Sequence, residues 1–228
     1  MEWIIINTVN YFLGFLIWLI LGVLIDNVQL KPDLAFYLIL FVLPGVVIGL
    51  SQWLLLLKKI TTISWLWILS NVPGLYLAFI STVVACFFYW AFIINLLEVN
   101  HELTQTFLIA SIGGAIGGAV GGIITGIIQH LLIRKNFSVN RLWIITSTLG
   151  WSVSWSLGWT VALVIDFHSP IFNAIVKAVG SFSGILHNSN FAFGFTLLPF
   201  AIIFGFVNAI ITGKVLVRLL RQSKQTHS

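Results

Sequence analysis

Charged residues are scarce in this sequence. Asp, Glu, Lys and Arg make up 7% of the 228 residues, whereas ordinary soluble domains contain about 25%. A soluble protein of this size needs charge on its surface to stay in solution. Because hydrophobic residues reach 59%, the composition excludes an ordinary water-soluble domain and indicates that lipid surrounds the chain.

Cysteine and the common catalytic motifs are also nearly absent. Cys86 is the only cysteine, which excludes an intrachain disulfide and a cysteine-based zinc site. The histidines show no metal-ligand spacing, and the sequence contains no Gly-x-Ser-x-Gly, His-Glu-x-x-His or P-loop motif. No ionisable residue lies in the middle of an apolar run, where proton pumps and charge-coupled transporters usually carry one. We therefore expect neither an enzyme nor a metal site.

Six apolar runs are present, each long enough to cross a bilayer as a helix, which requires about 20 residues. They lie at about residues 3–25, 34–57, 65–97, 107–133, 142–165 and 191–216. The sequence therefore predicts an all-α, polytopic membrane protein with six transmembrane helices. The whole chain, 1–228, forms one membrane domain that ends in a polar tail at 223–228.

The charges alternate along these runs. Nine of the eleven Lys and Arg residues follow or end the second, fourth and sixth runs, and five of the six acidic residues lie on the opposite side. Under the positive-inside rule the cationic side is cytoplasmic, and both termini lie there. The cations form short clusters without a basic face, so we expect anionic lipid rather than nucleic acid as their partner.

An internal repeat relates the even-numbered runs. The second run ends G-x-x-x-G-x-x-Q-W-L-L at residues 45–55, and the fourth ends G-x-x-x-G-x-x-Q-H-L-L at residues 122–132. The sixth carries a partial copy in which Leu216 replaces the Gln. Among the odd-numbered runs, residues 67–74 and 143–150 share the pattern W-x6-G. The repeat predicts three helical hairpins, at about residues 1–60, 61–137 and 138–222.

The repeated segment also carries a resemblance. A Gly-rich helix that runs into Gln-Trp-Leu-x-Leu-x-Lys/Arg extends from Gly49 to Lys58, and again from Gly126 to Lys135 with His130 in place of Trp. Gly150-Trp151 follows in the next helix. This pattern resembles a group of multi-pass membrane proteins frequent in cyanobacteria. The resemblance implies a bacterial inner membrane, with the thylakoid as one candidate, and it implies no activity and no functional residue.

The fourth run contains two glycine series with a spacing of four residues. The first series is Gly113, Gly117 and Gly121, and the second is Gly114, Gly118, Gly122 and Gly126. Glycine lets a neighbouring backbone approach closely, and such packing drives helix association in lipid. We expect a central, tightly packed helix. A flat surface for a planar ligand such as a quinone or a pigment is the alternative.

The tryptophans form two groups. Trp151, Trp155 and Trp159 lie four residues apart, on one face of the fifth helix. Such a stripe is typical of lipid-facing or interfacial aromatic residues, and stacking against a ring-shaped ligand is the alternative. The second group lies near the cytoplasmic boundary and predicts an aromatic belt. Its members are Trp3, Trp53, Trp65, Trp67 and Trp143.

Amide side chains inside the runs are the remaining candidates for a site. Gln52 and Gln129 occupy equivalent positions in the repeat, near the cytoplasmic ends of their helices. Each either bonds a neighbouring helix or interfacial water, or lines a polar vestibule if both face inward. Four further amides are Asn7, Asn10, Asn71 and Asn208. We expect each of these to form an interhelical hydrogen bond worth about 0.6–2 kcal/mol.

Two functions of different classes fit these features. The first is a non-catalytic scaffold or accessory subunit of a larger membrane complex, held to other membrane proteins by close helix packing. The second is a transporter for a neutral or lipid-like solute, with the three hairpins around a pathway.

Between the fifth and sixth runs, residues 171–185 predict a short amphipathic helix on the outer surface, or alternatively a re-entrant segment.

Overall fold

The computed structural model describes residues 1–27, 34–60, 63–89, 91, 102–134, 141–168 and 189–225. These residues form six α-helices and one 3₁₀ helix, and they contain no strand. The α-helices are α1 (Glu2–Asn27), α2 (Leu34–Leu57), α3 (Asn71–Phe88), α4 (Glu102–Ile133), α5 (Leu142–His168) and α6 (Ser189–Gln225). The all-α prediction is confirmed, and the segment at 171–185 lies outside the described residues.

Four helical segments are long and apolar enough to cross a membrane. They are Glu2–Gly22, Trp65–Phe88, Phe107–Ile133 and Leu197–Arg218. The apolar part of α2 whose side chains are described, Val42–Leu57, is shorter. α5 contains 27 residues, but its many Ser and Trp side chains lower its hydropathy.

The third predicted span does not begin as an α-helix. Residues Trp65–Leu69 form a 3₁₀ helix, here named η1, and α3 starts only at Asn71. The Ser64 hydroxyl caps η1 by accepting a hydrogen bond from the Leu66 backbone N–H at 3.2 Å. Pro73 follows in the first turn of α3, where its missing N–H is tolerated. The chain therefore enters the third helix through a tight turn.

The six α-helices form a closed ring. Each helix contacts the next in chain order, and α6 closes the ring against α1. Gly14 of α1 allows a close approach to α2, since a Cβ there would lie 3.0 Å from the Pro44 Cα. A Cβ at Gly205 of α6 would likewise lie 2.9 Å from the Thr8 Cα of α1. The first and last helices are therefore neighbours.

Two apolar clusters fill the ring. The first, here named the aromatic core, consists of Tyr11, Phe15, Ile48, Leu75, Ala78, Trp151, Trp155, Ala162, Leu197, Phe200, Ala201 and Phe204. The second, the end cluster, consists of Leu56, Ile60, Ile63, Trp67, Ile133, Trp143, Val215 and Leu216. The end cluster lies at the cationic end of the ring, where exposed Lys and Arg residues flank its members. These cations are Lys58, Lys59, Arg134, Arg141, Lys214 and Arg218.

Candidate functional site

Gln52 is the centre of a buried hydrogen-bond network at the cationic end. Its Nε2 donates to Asn7 Oδ1 on α1 at 2.6 Å. Its Oε1 accepts from Trp67 Nε1 at 3.3 Å and from Asn71 Nδ2 at 3.1 Å. The four side chains are all buried, so their amides and the indole satisfy one another without water. One glutamine thus connects α1, α2, η1 and α3.

Gln129 makes a corresponding set of contacts one repeat later. Its Oε1 accepts from Trp143 Nε1 at 3.3 Å, and its Nε2 donates to Ser70 Oγ at 3.2 Å. Ser70 in turn donates to the Trp67 carbonyl oxygen at 2.7 Å. Ser70 and Asn71 are adjacent, so the junction between η1 and α3 bonds both glutamines. The structure therefore brings Gln52 and Gln129 into one buried polar cluster.

A third indole bond closes the ring between α6 and α1. Trp3 Nε1 donates to Thr212 Oγ1 at 3.3 Å. A Cβ at Gly213 would lie 2.9 Å from Trp3 Cδ1, so the two helices are close at this point. Each odd-numbered helix thus has a Trp at or near its start that donates to a polar side chain of an even-numbered helix. The three bonds are Trp3 to Thr212, Trp67 to Gln52 and Trp143 to Gln129.

This geometry corrects the aromatic-belt prediction. Trp67 and Trp143 are fully buried and pack in the end cluster with their ring centroids 6.3 Å apart. Trp3 and Trp53 are half-buried against the same cluster. Only Trp65, at 61% exposure, lies on the surface among the tryptophans whose side chains are described. For Trp67 and Trp143 the physical reason is a buried glutamine amide, whose oxygen accepts a hydrogen bond from the indole N–H.

The lipid-facing interpretation of the α5 tryptophan stripe is also wrong for its first two members. Trp151 and Trp155 are 2% and 1% exposed and lie inside the aromatic core. Their rings are stacked, with centroids 6.2 Å apart, and the edges of Phe200 and Phe204 meet them at almost a right angle. Trp155 Nε1 donates to Thr82 Oγ1 of α3 at 2.8 Å.

Trp159 is only partly buried and packs against Phe200 at a centroid distance of 5.4 Å. Because the rings of Trp151 and Trp155 contact Phe200 and Phe204, their faces and edges are already occupied within the chain. A different place for an apolar ligand is a groove of about 600 Å³ between α3 and α4. Its lining includes Ile80, Val84, Phe88, Tyr89, Ile112 and Ile116.

The two glycine series of α4 face two different helices. A Cβ at Gly113 or Gly117 would collide with α3, at Cys86 and Thr82 respectively, and Gly121 lies against Gly74 and Ala78. The second series faces α5. A Cβ at Gly114, Gly118, Gly122 or Gly126 would lie within 3.1 Å of an α5 backbone atom. Both series are therefore used for packing inside this chain.

Serines of α5 complete the α4 contact. Ser152 Oγ donates to the Ala115 carbonyl oxygen at 2.9 Å, and Ser156 Oγ donates to the Ser111 carbonyl oxygen at 2.8 Å. Side chains can reach backbone carbonyls in another helix only when the helices are very close, as the glycines allow. Sequence reasoning missed these serines, as it missed Ser70 and Thr212. For Thr212 a signal existed, because the I-I-T-G segment at 210–213 repeats residues 123–126.

Asn10 and Asn208 differ from Asn7 and Asn71, which form the expected interhelical hydrogen bonds. The Asn10 side chain is half-buried, and no described residue forms a hydrogen bond with it. Asn208 is buried and faces Tyr11 across the contact between α6 and α1, but its Oδ1, beside Gly150, has no hydrogen-bond partner among the described residues. The described residues contain no group of three His, Cys, Asp or Glu side chains that could hold a metal ion.

The described fold is thus an α-helical ring with helices suited to a membrane, and its most distinctive feature is a buried cluster of amides and indoles at one end. No protein-family model, curated protein or solved structure matches the chain.

Proposed function

We propose that this protein is a non-catalytic membrane scaffold or accessory subunit of a larger membrane complex. The observation that carries the proposal is the filled interior of the ring. Aromatic side chains contact one another in its aromatic core, and Gln52 and Gln129 bond protein groups rather than facing a water-filled vestibule. Such an interior gives a rigid body whose outer surface is available to partners.

The membrane setting is part of this proposal. We place the protein in a bacterial inner membrane, with the thylakoid as one candidate, and with both termini in the cytoplasm. The six exposed cations of the cationic end have no ion-pair partner among the described residues. Anionic lipid headgroups at the cytoplasmic face would supply those partners.

We further infer that the ring consists of six transmembrane helices arranged as three repeated hairpins. The support comes from the matching bonds of Trp67 with Gln52 and of Trp143 with Gln129, since these residues are equivalent in the sequence repeat. The pair Trp3 and Thr212 supplies the third, more divergent copy. These bonds join α2 to η1, α4 to α5, and α6 to α1, and so they connect successive hairpins.

A transporter for a neutral or lipid-like solute is the second candidate. One observation favours it: the three indole bonds lie at the same end of a closed ring, as expected for three hairpins around a pathway. In such a transporter the indoles would separate from their partners to open that end. The buried state of Gln52 and Gln129 would then be the closed state.

Native electrophoresis of gently extracted membranes tests the scaffold proposal. A subunit should migrate in a particle larger than the purified chain in the same detergent, and mass spectrometry of that particle should identify other chains in a fixed ratio. Migration as the chain alone under every gentle condition contradicts the proposal. An absorption spectrum of the particle shows whether a pigment is present.

Thiol labelling tests the transporter. In a Cys86→Ala background, Ala78→Cys places a thiol in the aromatic core, and Lys59→Cys places one at the exposed cationic end. A scaffold leaves the Ala78→Cys thiol unreactive to a water-soluble reagent, because a desolvated thiol remains protonated. Labelling of Ala78→Cys at a rate near that of Lys59→Cys would instead establish an aqueous pathway.

A further inference from the structure

One partly exposed amide on α1 has no hydrogen-bond partner among the described residues. Asn10 lies on α1, about 12 Å from the start of the helix at 1.5 Å per residue. Its side chain is half-buried, and no described residue bonds it. Asn7, one turn earlier, is buried and bonds both Gln52 and the Trp3 carbonyl oxygen. An amide without a partner in lipid costs free energy, so a group outside the chain is expected to satisfy it.

The neighbours of Asn10 have the spacing of a helix dimer. Around it on the same face of α1 lie Ile6, Leu13, Ile17 and Ile20, at alternating intervals of four and three residues. Leu13, Ile17 and Ile20 are exposed, and Ile6 is half-buried. This is the a/d heptad pattern of a left-handed helix pair, with Asn10 and Ile17 at a positions. The opposite face of α1, with Asn7, Tyr11 and Phe15, is buried in the ring.

We propose that α1 pairs with α1 of a second copy through this face, with the two Asn10 amides bonded to each other. An amide carries both a donor and an acceptor, so two copies related by a twofold axis can exchange two equivalent hydrogen bonds. All copies cross the membrane in the same direction, and an axis along the membrane normal therefore makes the pair parallel. A single Asn at an a position selects the register and the two-stranded state of such pairs.

The described surfaces of α4 and α5 are less suited to this contact. Both glycine series of α4 face α3 or α5 of the same chain, so they are not available to a second copy. The exposed faces of α4 and α5 consist of apolar side chains, including Ile116, Ile127, Val153 and Leu157. Apolar faces alone associate weakly in lipid, because lipid tails are equally apolar. The Asn10 amide therefore makes the outer face of α1 better suited to bind a second copy than the apolar faces of α4 and α5.

Disulfide cross-linking of the purified full chain in lipid nanodiscs tests the proposal. The nanodiscs contain phosphatidylethanolamine and phosphatidylglycerol and are large enough for two copies, and every variant carries Cys86→Ala. Under mild oxidation Leu13→Cys should give a covalent dimer. Leu157→Cys, equally exposed on α5, should not. Dimer from both positions in equal yield would indicate random collision and overturn the proposal, as would the absence of dimer from Leu13→Cys.

The role of Asn10 is tested in the Leu13→Cys chain. Asn10→Leu should reduce the dimer yield several-fold, and Asn10→Gln should retain it, because Gln keeps the donor and acceptor. An unchanged yield for Asn10→Leu overturns the proposal and assigns the amide to lipid headgroups or water. A second pair of cysteine variants keeps Asn10, so its result does not depend on whether Asn10→Leu folds. Ile17→Cys should cross-link, whereas Ile5→Cys, exposed but away from the heptad face, should not, and the reverse result overturns the proposal.

Discussion

Gln52 uses its amide more fully than Gln129 does. It bonds three side chains, on Asn7, Trp67 and Asn71, whereas Gln129 bonds those of Trp143 and Ser70. Removing one partner from a buried hydrogen bond leaves the other without compensation, at a cost of about 1–3 kcal/mol per group. The two glutamines, although equivalent in the sequence repeat, therefore differ in their importance for stability.

Leucine substitution should reveal this difference. We expect Gln52→Leu to lower the thermal midpoint of the detergent-solubilised protein more than Gln129→Leu does. Gln52→Leu removes the partner of three polar groups, whereas Gln129→Leu removes that of the Trp143 indole N–H and leaves the Ser70 hydroxyl bonded to the Trp67 carbonyl oxygen. Tryptophan fluorescence measures the transition, since Trp67 and Trp143 are direct neighbours. Ser51→Ala is the control, because Ser51 bonds only the Val47 carbonyl of its own helix. Equal midpoints for all three variants would contradict the network.

The direction in which a tryptophan side chain points could not be predicted from the sequence. The sequence indicated that Trp151 and Trp155 share a helix face, but it did not show which way that face points. In a soluble protein a polar opposite face would decide the direction. In lipid both the interior and the exterior are apolar, so the pattern carries no such signal. The serines of α5 would have been a better guide, because Ser152 and Ser156 bond backbone carbonyls of α4 and so mark a face that points to a neighbouring helix.

At the scale of the element, α4 shows what a spacing can predict. The two glycine series indicated close packing, and the structure places one series against α3 and the other against α5. The assignment of each series to a neighbour depends on the closed ring, which no local pattern reveals. The start of α3 was not predicted either. The apolar run at about residues 65–97 is continuous, so η1 was not recognised within it. Ser64, Ser70 and Pro73 are nevertheless residues that favour caps and first turns.

Leucine at Gly118 should test this packing. A Cβ there would lie 2.7 Å from Trp155 Cβ and 2.9 Å from Ser152 Cα, so Gly118→Leu should separate α4 from α5 and destabilise the protein by at least about 1–3 kcal/mol. The matched control is Gly22→Leu on α1, because among the described residues no atom of another helix lies within 4 Å of a Cβ at that position. The fraction that remains monodisperse after heating measures the effect. Similar losses for both variants would show that α4 and α5 are not in close contact.

For the whole molecule, the composition and the lengths of the apolar runs sufficed to predict an all-α chain with membrane-length helices. The closure of α6 against α1 was not accessible, because contacts between distant helices depend on individual pairs such as Trp3 with Thr212. The sequence repeat identified the residues that form such contacts, since it matched Gln52 with Gln129 and Trp67 with Trp143. It related equivalent residues to one another, however, and it did not show that these residues bond across adjacent hairpins.

The membrane topology of the whole chain can be tested with reporter fusions. Reporter fusions at three sites should lie in the cytoplasm, because Lys and Arg cluster there under the positive-inside rule. These sites follow Lys59, Arg141 and Ser228. Fusions at three other sites should lie on the opposite side. These are near Asp33, Glu102 and His187. A paired alkaline phosphatase and fluorescent protein reporter gives opposite signals on the two sides, and a single reversed site would refute six crossings.

Ring closure also sets the order in which the protein can be completed during synthesis. α1 leaves the ribosome well before its neighbour α6, so under the proposed six-helix topology α1 would remain in the bilayer until the four helices between them had been inserted. α2 is synthesised soon after α1, and its Gln52 can then donate a hydrogen bond to the Asn7 side chain. Trp3 has to wait for Thr212. A nascent chain stalled before α6 would therefore expose an unfinished side of α1, where membrane chaperones or quality-control proteases can distinguish incomplete chains from finished ones.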